Sequence, residues 1–163
     1  MNLTLSKRGD YAVRAALSLG RAFENNGGFR KIREVAGEME LPLQYTPQIL
    51  RLLSKAGLAE ARAGREGGYR LSRAPRQISL LEVVEAAEGP LRGDQCTLRG
   101  GPCHWDDMCA VHPAWEAATN ALRDSLAGVS LSDVVDIDAG LSAGMLRASP
   151  TSHRKKRERR KRR

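Results

Sequence analysis

The chain has 163 residues, 4% aromatic content and a formal net charge of +8. That length suits one domain with a real core and excludes two large ones. With so few aromatic residues, the core must rest on Leu, Val, Ile and Ala. There is no charged-then-apolar N-terminal segment and no apolar run near the roughly eighteen residues of a membrane span, so a cytoplasmic protein with no membrane partner and with reduced thiols is expected.

The charge is not spread evenly. Arg154–Arg163 holds nine basic side chains and one acid, which leaves eighteen basic and eighteen acidic groups in the other 153 residues. The body is formally neutral. So concentrated a basic block repels itself and has no apolar residue to bury, and it reads as a disordered tail. It is either an arm for phosphate backbones or a merely solvated end.

Helical spacing of Ala12, Ala16, Leu19 and Phe23, widened by Val13 and Leu17, predicts a helix over 6–23 that stops at Asn25-Asn-Gly-Gly28. A second helix is expected over about 31–39, with Ile32, Val35, Ala36 and Met39 as its apolar face. Glu40-Leu-Pro42 then turns the chain. A third helix runs to Ala56 with Ile49, Leu50, Leu52 and Leu53 inward, and Gly57 is placed to end it. Two helices joined by a short turn form the helix-turn-helix outline. Residues 58–71 follow as two short extended pieces around a Gly- and Arg-rich turn, which reads as a β-hairpin in the position of a wing. Its glycines would let the backbone approach a phosphate closely, although an ordinary surface hairpin has the same pattern. Ser79-Leu-Leu-Glu82 is a capping-box pattern opening a helix that ends at Gly89-Pro90. Pro113 suits the first turn of a further long helix to about Ala127, with Trp115, Ala118, Leu122 and Leu126 on one face. That face suits a dimer interface or plain intrachain core. Ser130-Leu-Ser-Asp133 caps a short last helix through Val134 and Val135, and from Ala139 the chain leads into the tail.

Cys96, Cys103, Cys109 and His112 fall within seventeen residues, and these are the only cysteines. An odd number of thiols cannot pair off within one chain. Thiolates are soft ligands for zinc or for iron–sulfur clusters. The cysteines are separated by six and then five residues, longer than the tight cysteine pairs of structural zinc sites, and Gly93, Gly100, Gly101 and Pro102 loosen the loop. The spacing favours a cluster, with zinc or a metal-free thiol switch as alternatives.

For reading DNA, the start of the third helix offers Gln44, Tyr45, Thr46 and Gln48, with Arg51 for phosphate. Gln can pair bidentately with adenine and Thr can meet a thymine methyl group. Thr46-Pro47 is also a good N-cap and N1 pair, so Leu43 to Tyr45 could still belong to the turn. Nothing arranges Ser, His and Asp as nucleophile and base, so no catalytic site is expected.

Taken together the chain resembles the Rrf2 superfamily of bacterial winged-helix regulators, which includes IscR-, NsrR- and RirA-like members. The resemblance spans about residues 1–136. It rests on Leu3-Thr-Leu-Ser6 before Asp10-Tyr-Ala-Val-Arg14, on Gln48-Ile-Leu50 with Lys55-Ala-Gly-Leu58, and on Gly67-Gly68-Tyr69. Ile78-Ser-Leu-Leu-Glu-Val-Val84, the three cysteines and Ser130-Leu-Ser-Asp-Val134 complete it. The resemblance implies a mainly α winged helix-turn-helix with a β-hairpin wing and a long C-terminal dimerisation helix. It implies a homodimer on a near-palindromic double-stranded DNA operator, acting as a repressor under control of an iron–sulfur cluster that senses redox state, nitric oxide or iron–sulfur status. Cys96, Cys103 and Cys109 match the cluster cysteines. His112 matches the histidine that completes a 2Fe–2S site in IscR-like members. Asp10 matches the acid that reaches a 4Fe–4S cluster from the partner subunit in NsrR-like members. His112 as a helix N-cap and Asp10 as a solvated first-turn acid are the structural alternatives, and His104 is read as a bystander. Many relatives carry arginine directly before the first wing glycine, where this chain has Ala63, so any minor-groove contact falls to Arg62 or Arg65, with Arg65 at the tip the favoured one. The expected organisation is a DNA-binding region over 1–75, the cluster loop and dimerisation helix over 76–138 in the same compact domain, and a basic tail over 139–163. The competing reading is a zinc-stabilised winged-helix DNA-binding protein with no sensing role.

Overall fold

The computed structural model describes residues 4–25, 27–91 and 109–147. Ser6 opens the first helix: its hydroxyl accepts from the Gly9 amide at 3.2 Å. The Ser6 amide and hydroxyl donate in turn to Glu88 Oε1 at 2.9 and 2.6 Å, which ties the chain's start to its middle. Helix α1 (Lys7–Asn25) turns Ala12, Ala15, Ala16 and Leu19 inward, none more than 1% exposed. These small side chains let α1 serve as the central spar, against which α2, α3, α4 and α6 pack. Gly27, at φ +64°, donates to the Ala22 carbonyl at 3.0 Å and ends the helix.

Helix α2 (Ile32–Met39) buries Val35, Ala36 and Met39 and stops at left-handed Glu40. The Glu34 carboxylate accepts from the Lys31 amide at its start, at 2.9 Å. Helix α3 (Thr46–Lys55) buries Ile49, Leu50 and Leu53, and Gly57 ends it at φ +74°. Strands β1 (Ala59–Arg62) and β2 (Gly68–Leu71) pair antiparallel with Ala59 opposite Leu71 and Arg62 opposite Gly68. A 3₁₀ turn (Pro75–Gln77) leads to α4 (Leu80–Glu88), then α5 (His112–Ala127) and α6 (Leu131–Ser142). Leu19, Val35, Leu50, Leu53, Ile78, Val83 and Leu131 are the shared centre. Burying each such aliphatic side chain is worth about 1.5–3 kcal/mol.

The starts of α4 and α6 lie side by side. Leu80 donates to the Val129 carbonyl at 2.8 Å and Leu131 to the Ile78 carbonyl at 2.7 Å, so two capped helix ends share one short bridge.

Two expectations need correction. The last helix does not stop near Val135 but runs to Ser142, so 139–147 is folded rather than the start of a disordered tail. Gly140 is the reason. Leu146 folds back over it, the Met145 and Leu146 amides donate to its carbonyl at 2.9 and 3.1 Å, and Gly144 supplies the left-handed turn. The helix before the wing is also later than a start at Gln44, because Gln44 and Tyr45 lie in the turn that precedes α3. Residues 148–163 lie outside the described residues.

Candidate nucleic-acid interface and metal loop

The turn between α2 and α3 is held by its own backbone. The Tyr45 and Thr46 amides donate to the Pro42 carbonyl at 2.9 and 3.2 Å, and the Thr46 hydroxyl joins them at 3.1 Å. Thr46 is fully buried, so its methyl and hydroxyl face the protein and cannot meet a base edge. Gln44, Tyr45, Gln48 and Arg51 are exposed, and Leu43 beside them is 50% exposed. Gln48 and Arg51 stand three residues apart on the first turns of α3, hence on one face. Pro47 in the first turn sacrifices no intrahelical donor. The outcome is a helix N-terminus with two amides, a phenol and a guanidinium turned outward, the side-chain types that read base edges and phosphates in a groove.

The wing is wider than two strands. Arg30 and Tyr69 exchange amide–carbonyl hydrogen bonds at 2.8 Å in both directions, so the α1–α2 connection adds a third edge. Gly68 is required there, because a Cβ would stand 2.3 Å from the Arg30 carbonyl oxygen. At Gly67 a Cβ would stand 2.1 Å from the Arg62 carbonyl oxygen, and the Gly67 amide closes the tip turn onto Gly64 at 3.0 Å. Arg65 is exposed at that tip. Ala59 and Leu71 face the core, so strand alternation puts Glu60, Arg62 and Arg70 on the outer face. Arg70 pairs with Glu60, and the Phe29 ring lies 4.6 Å from the Arg70 guanidinium and 5.8 Å from that of Arg62. Neither Phe29 nor Arg70 stood out in the sequence. A lone aromatic directly after Gly27-Gly28 was the available signal.

Of the cysteine-loop residues, Cys96, Cys103 and His104 lie outside the described residues. Cys109 is half-buried just ahead of α5, and the His112 amide donates to its carbonyl at 3.1 Å. One hydrogen-bonded turn therefore brings Cys109 and His112 together. Val111, not His112, holds the N-cap position, and no side chain caps α5, so His112 is exposed with its imidazole uncommitted to the helix end. Asp10 is exposed on the first turn of α1 and pairs with Arg14, which also donates to the Met39 carbonyl at 2.9 Å. Among the described residues no three His, Cys, Asp or Glu side chains gather closely enough to hold a metal ion.

Helix α5 buries none of its sixteen residues. Trp115 and Leu126 are half-buried, while Ala118 and Leu122 of the same stripe are exposed. One polar hub fastens it: Glu85 of α4 accepts from Arg123 at 2.7 Å and from the Leu91 amide at 2.9 Å, and Arg123 also donates to the Leu91 carbonyl at 2.6 Å. No described helix is long and apolar enough to cross a membrane.

The Rrf2 family, described as iron-dependent transcriptional regulators, matches residues 5–137. A helix-turn-helix transcriptional regulator of Neisseria meningitidis serogroup A is 30% identical over 134 residues, covering 82% of this chain and 88% of that one. The regulator IscR of Cronobacter sakazakii is 28% identical, covering 82% and 81%. The solved structure of T. potens IscR superposes with a TM-score of 0.68 at 26% identity over 91% of this chain and 96% of that one. CymR, the global cysteine regulator of B. subtilis, gives the same TM-score at 23% identity over 83% and 98%, a likeness of fold. These relatives are regulators and not enzymes. With a winged helix-turn-helix in place and four-fifths of the chain matched, the protein belongs to the Rrf2 family of transcriptional regulators.

Proposed function

We propose that this regulator is a cytoplasmic homodimeric repressor whose binding to a near-palindromic operator is controlled by an iron–sulfur cluster on the loop of Cys96, Cys103 and Cys109. The position of Cys109 carries the reading. Its thiol stands one turn ahead of α5, a helix whose apolar stripe is left unburied by the described residues. Three thiolates with an imidazole or a carboxylate form a donor set that suits a cluster. His112 would complete a 2Fe–2S site, and Asp10 of the partner subunit would complete a 4Fe–4S site. When bound, the cluster supplies an oxidisable crosslink among the thiolates.

The chain's own residues then convert loop order into operator affinity. Tethering Cys109 fixes the first turn of α5. Arg123 links α5 to Glu85 and to Leu91, the last described residue before the loop. Helix α4 packs against α3, whose start offers Gln48 and Arg51 to DNA. Release of the loop changes how the two reading heads are held relative to one another, a two-state coupling of two sites.

The test is the visible spectrum, iron and acid-labile sulfide of protein purified without oxygen, with Asp10→Ala and His112→Ala alongside. Brown protein with about two or four irons per chain is expected, and the substitution that bleaches it identifies the fourth ligand. Colourless protein carrying zinc would sink the sensing role and leave a metal-stapled winged-helix DNA binder.

A further inference from the structure

We infer that Phe29 is a positioning residue for DNA binding: its ring holds the Arg62 guanidinium on the outer face of the wing, making Arg62 rather than the tip's Arg65 the wing's DNA-contacting arginine. The inference rests on the operator-binding reading above.

Phe29 is half-buried, yet it is absent from the apolar side chains packed on the core. What it touches is the wing. The two-way pairing of Arg30 with Tyr69 sets Phe29 beside Arg70 on the third edge. Its ring meets the Arg70 guanidinium at 4.6 Å and the Arg62 guanidinium at 5.8 Å, both within cation–π range. Arg62 reaches it because the residue opposite, Gly68, has no side chain, and the Arg30 carbonyl leaves no room for one. Arg70 is also drawn to Glu60, which leaves Arg62 as the ring-held cation without a carboxylate among the described residues. Arg65 has neither ring nor ion pair there. An arginine already ordered in the free protein loses less freedom when it enters a groove than a loose one does. Arginine is the side chain that a narrow minor groove attracts.

The experiment is a double-mutant cycle in full-length protein, on a duplex that the wild-type chain selects from a random-sequence pool. Fluorescence anisotropy compares wild type, Phe29→Leu, Phe29→Tyr, Arg62→Gln, the Phe29→Leu/Arg62→Gln pair and Arg65→Gln. Loss of the stack should weaken binding by about two- to fivefold per wing in Phe29→Leu. Phe29→Tyr should bind as wild type, Arg65→Gln should lose less than Arg62→Gln, and the double variant should be no worse than Arg62→Gln alone. Additive losses in the double variant, or equal losses from leucine and tyrosine, would mean that Phe29 only supports the fold, and would overturn the inference. A second readout needs no variant: in the DNA-free protein the Arg62 side-chain proton resonances should be shifted upfield by the ring, and random-coil positions would refute the stack. If the wild-type chain selects no sequence, the operator reading fails and takes this inference with it.

Discussion

At Gly68 a single hydrogen decides whether the wing can stand against the body. A methyl group there would meet the Arg30 carbonyl oxygen at 2.3 Å and the Arg30 carbonyl carbon at 2.7 Å. Those are backbone atoms that cannot swing aside. The hairpin must move, and with it the Arg30–Tyr69 pairing. Gly68→Ala should therefore cost about 1–3 kcal/mol, as overpacking does. The loss should be local, because Leu19, Leu50 and Leu131 lie elsewhere. Hydrogen exchange checks it: amides of β1, β2 and Arg30 should exchange faster while those of α1 keep their protection. Unchanged exchange at Tyr69 would contradict the role given to Gly68. Thr46 shows how residue type alone misleads at this scale. A threonine at the start of a recognition helix suits a thymine methyl group, but here its hydroxyl holds the Pro42 carbonyl and its side chain is buried.

The helices owe their boundaries to short polar signals that the sequence displays openly. Ser79 with Glu82 and Ser130 with Asp133 are both capping boxes: the Ser79 and Ser130 amides donate to the acids at 2.8 Å, and the serine hydroxyls accept from the Glu82 and Asp133 amides at 3.2 and 3.1 Å. Burial pushes the Glu82 carboxyl up, but the Ser79 amide and hydroxyl and the Arg73 guanidinium outweigh it, so its pKa falls below the ordinary 4.5. The Ser130 hydroxyl and amide likewise lower Asp133 below 3.8. A lowered carboxylate pKa contributes stability above the unfolded value, and that contribution is lost as pH falls through the folded one. Glu82→Gln should thus be less stable than wild type at pH 7, by about 0.5 kcal/mol once its exposure is discounted. The gap should close in acid below the ordinary 4.5. Urea midpoints at the two pH values measure it, and a gap that persists in acid would show that the charge is not its source. Such local grammar made α1 to α4 legible. The third wing edge and the far half of α6 were not, because they depend on distant partners. Arg30 finds Tyr69 across the chain, and the run Ala139-Gly-Leu-Ser, poor in helical signal, is kept helical by Leu146 folding back over Gly140. Asp10 and His112 stand out in the sequence as alternative ligands, and the proposed cluster is what would choose between them.

Across the whole molecule, the formal charge is uneven, with a neutral body and a basic block at 154–163. On the proposed reading, sequence preference comes from α3 and the wing, since a run of lysine and arginine reads phosphates and not bases. In the proposed mechanism control enters through α5, whose two ends meet different neighbours. Cys109 precedes its first turn, and Arg123 near its far end grips Glu85 and Leu91. The coupling claim is tested most directly by operator affinity in one anaerobic preparation, measured before and after the iron is removed by chelation. A change of about tenfold or more is expected, which corresponds to a coupling within the usual range of 1–3 kcal/mol. Reconstitution with iron and sulfide should restore the original affinity. Equal affinities for loaded and stripped protein, both dimeric, would contradict the account and leave the cysteine loop with no part in reading DNA.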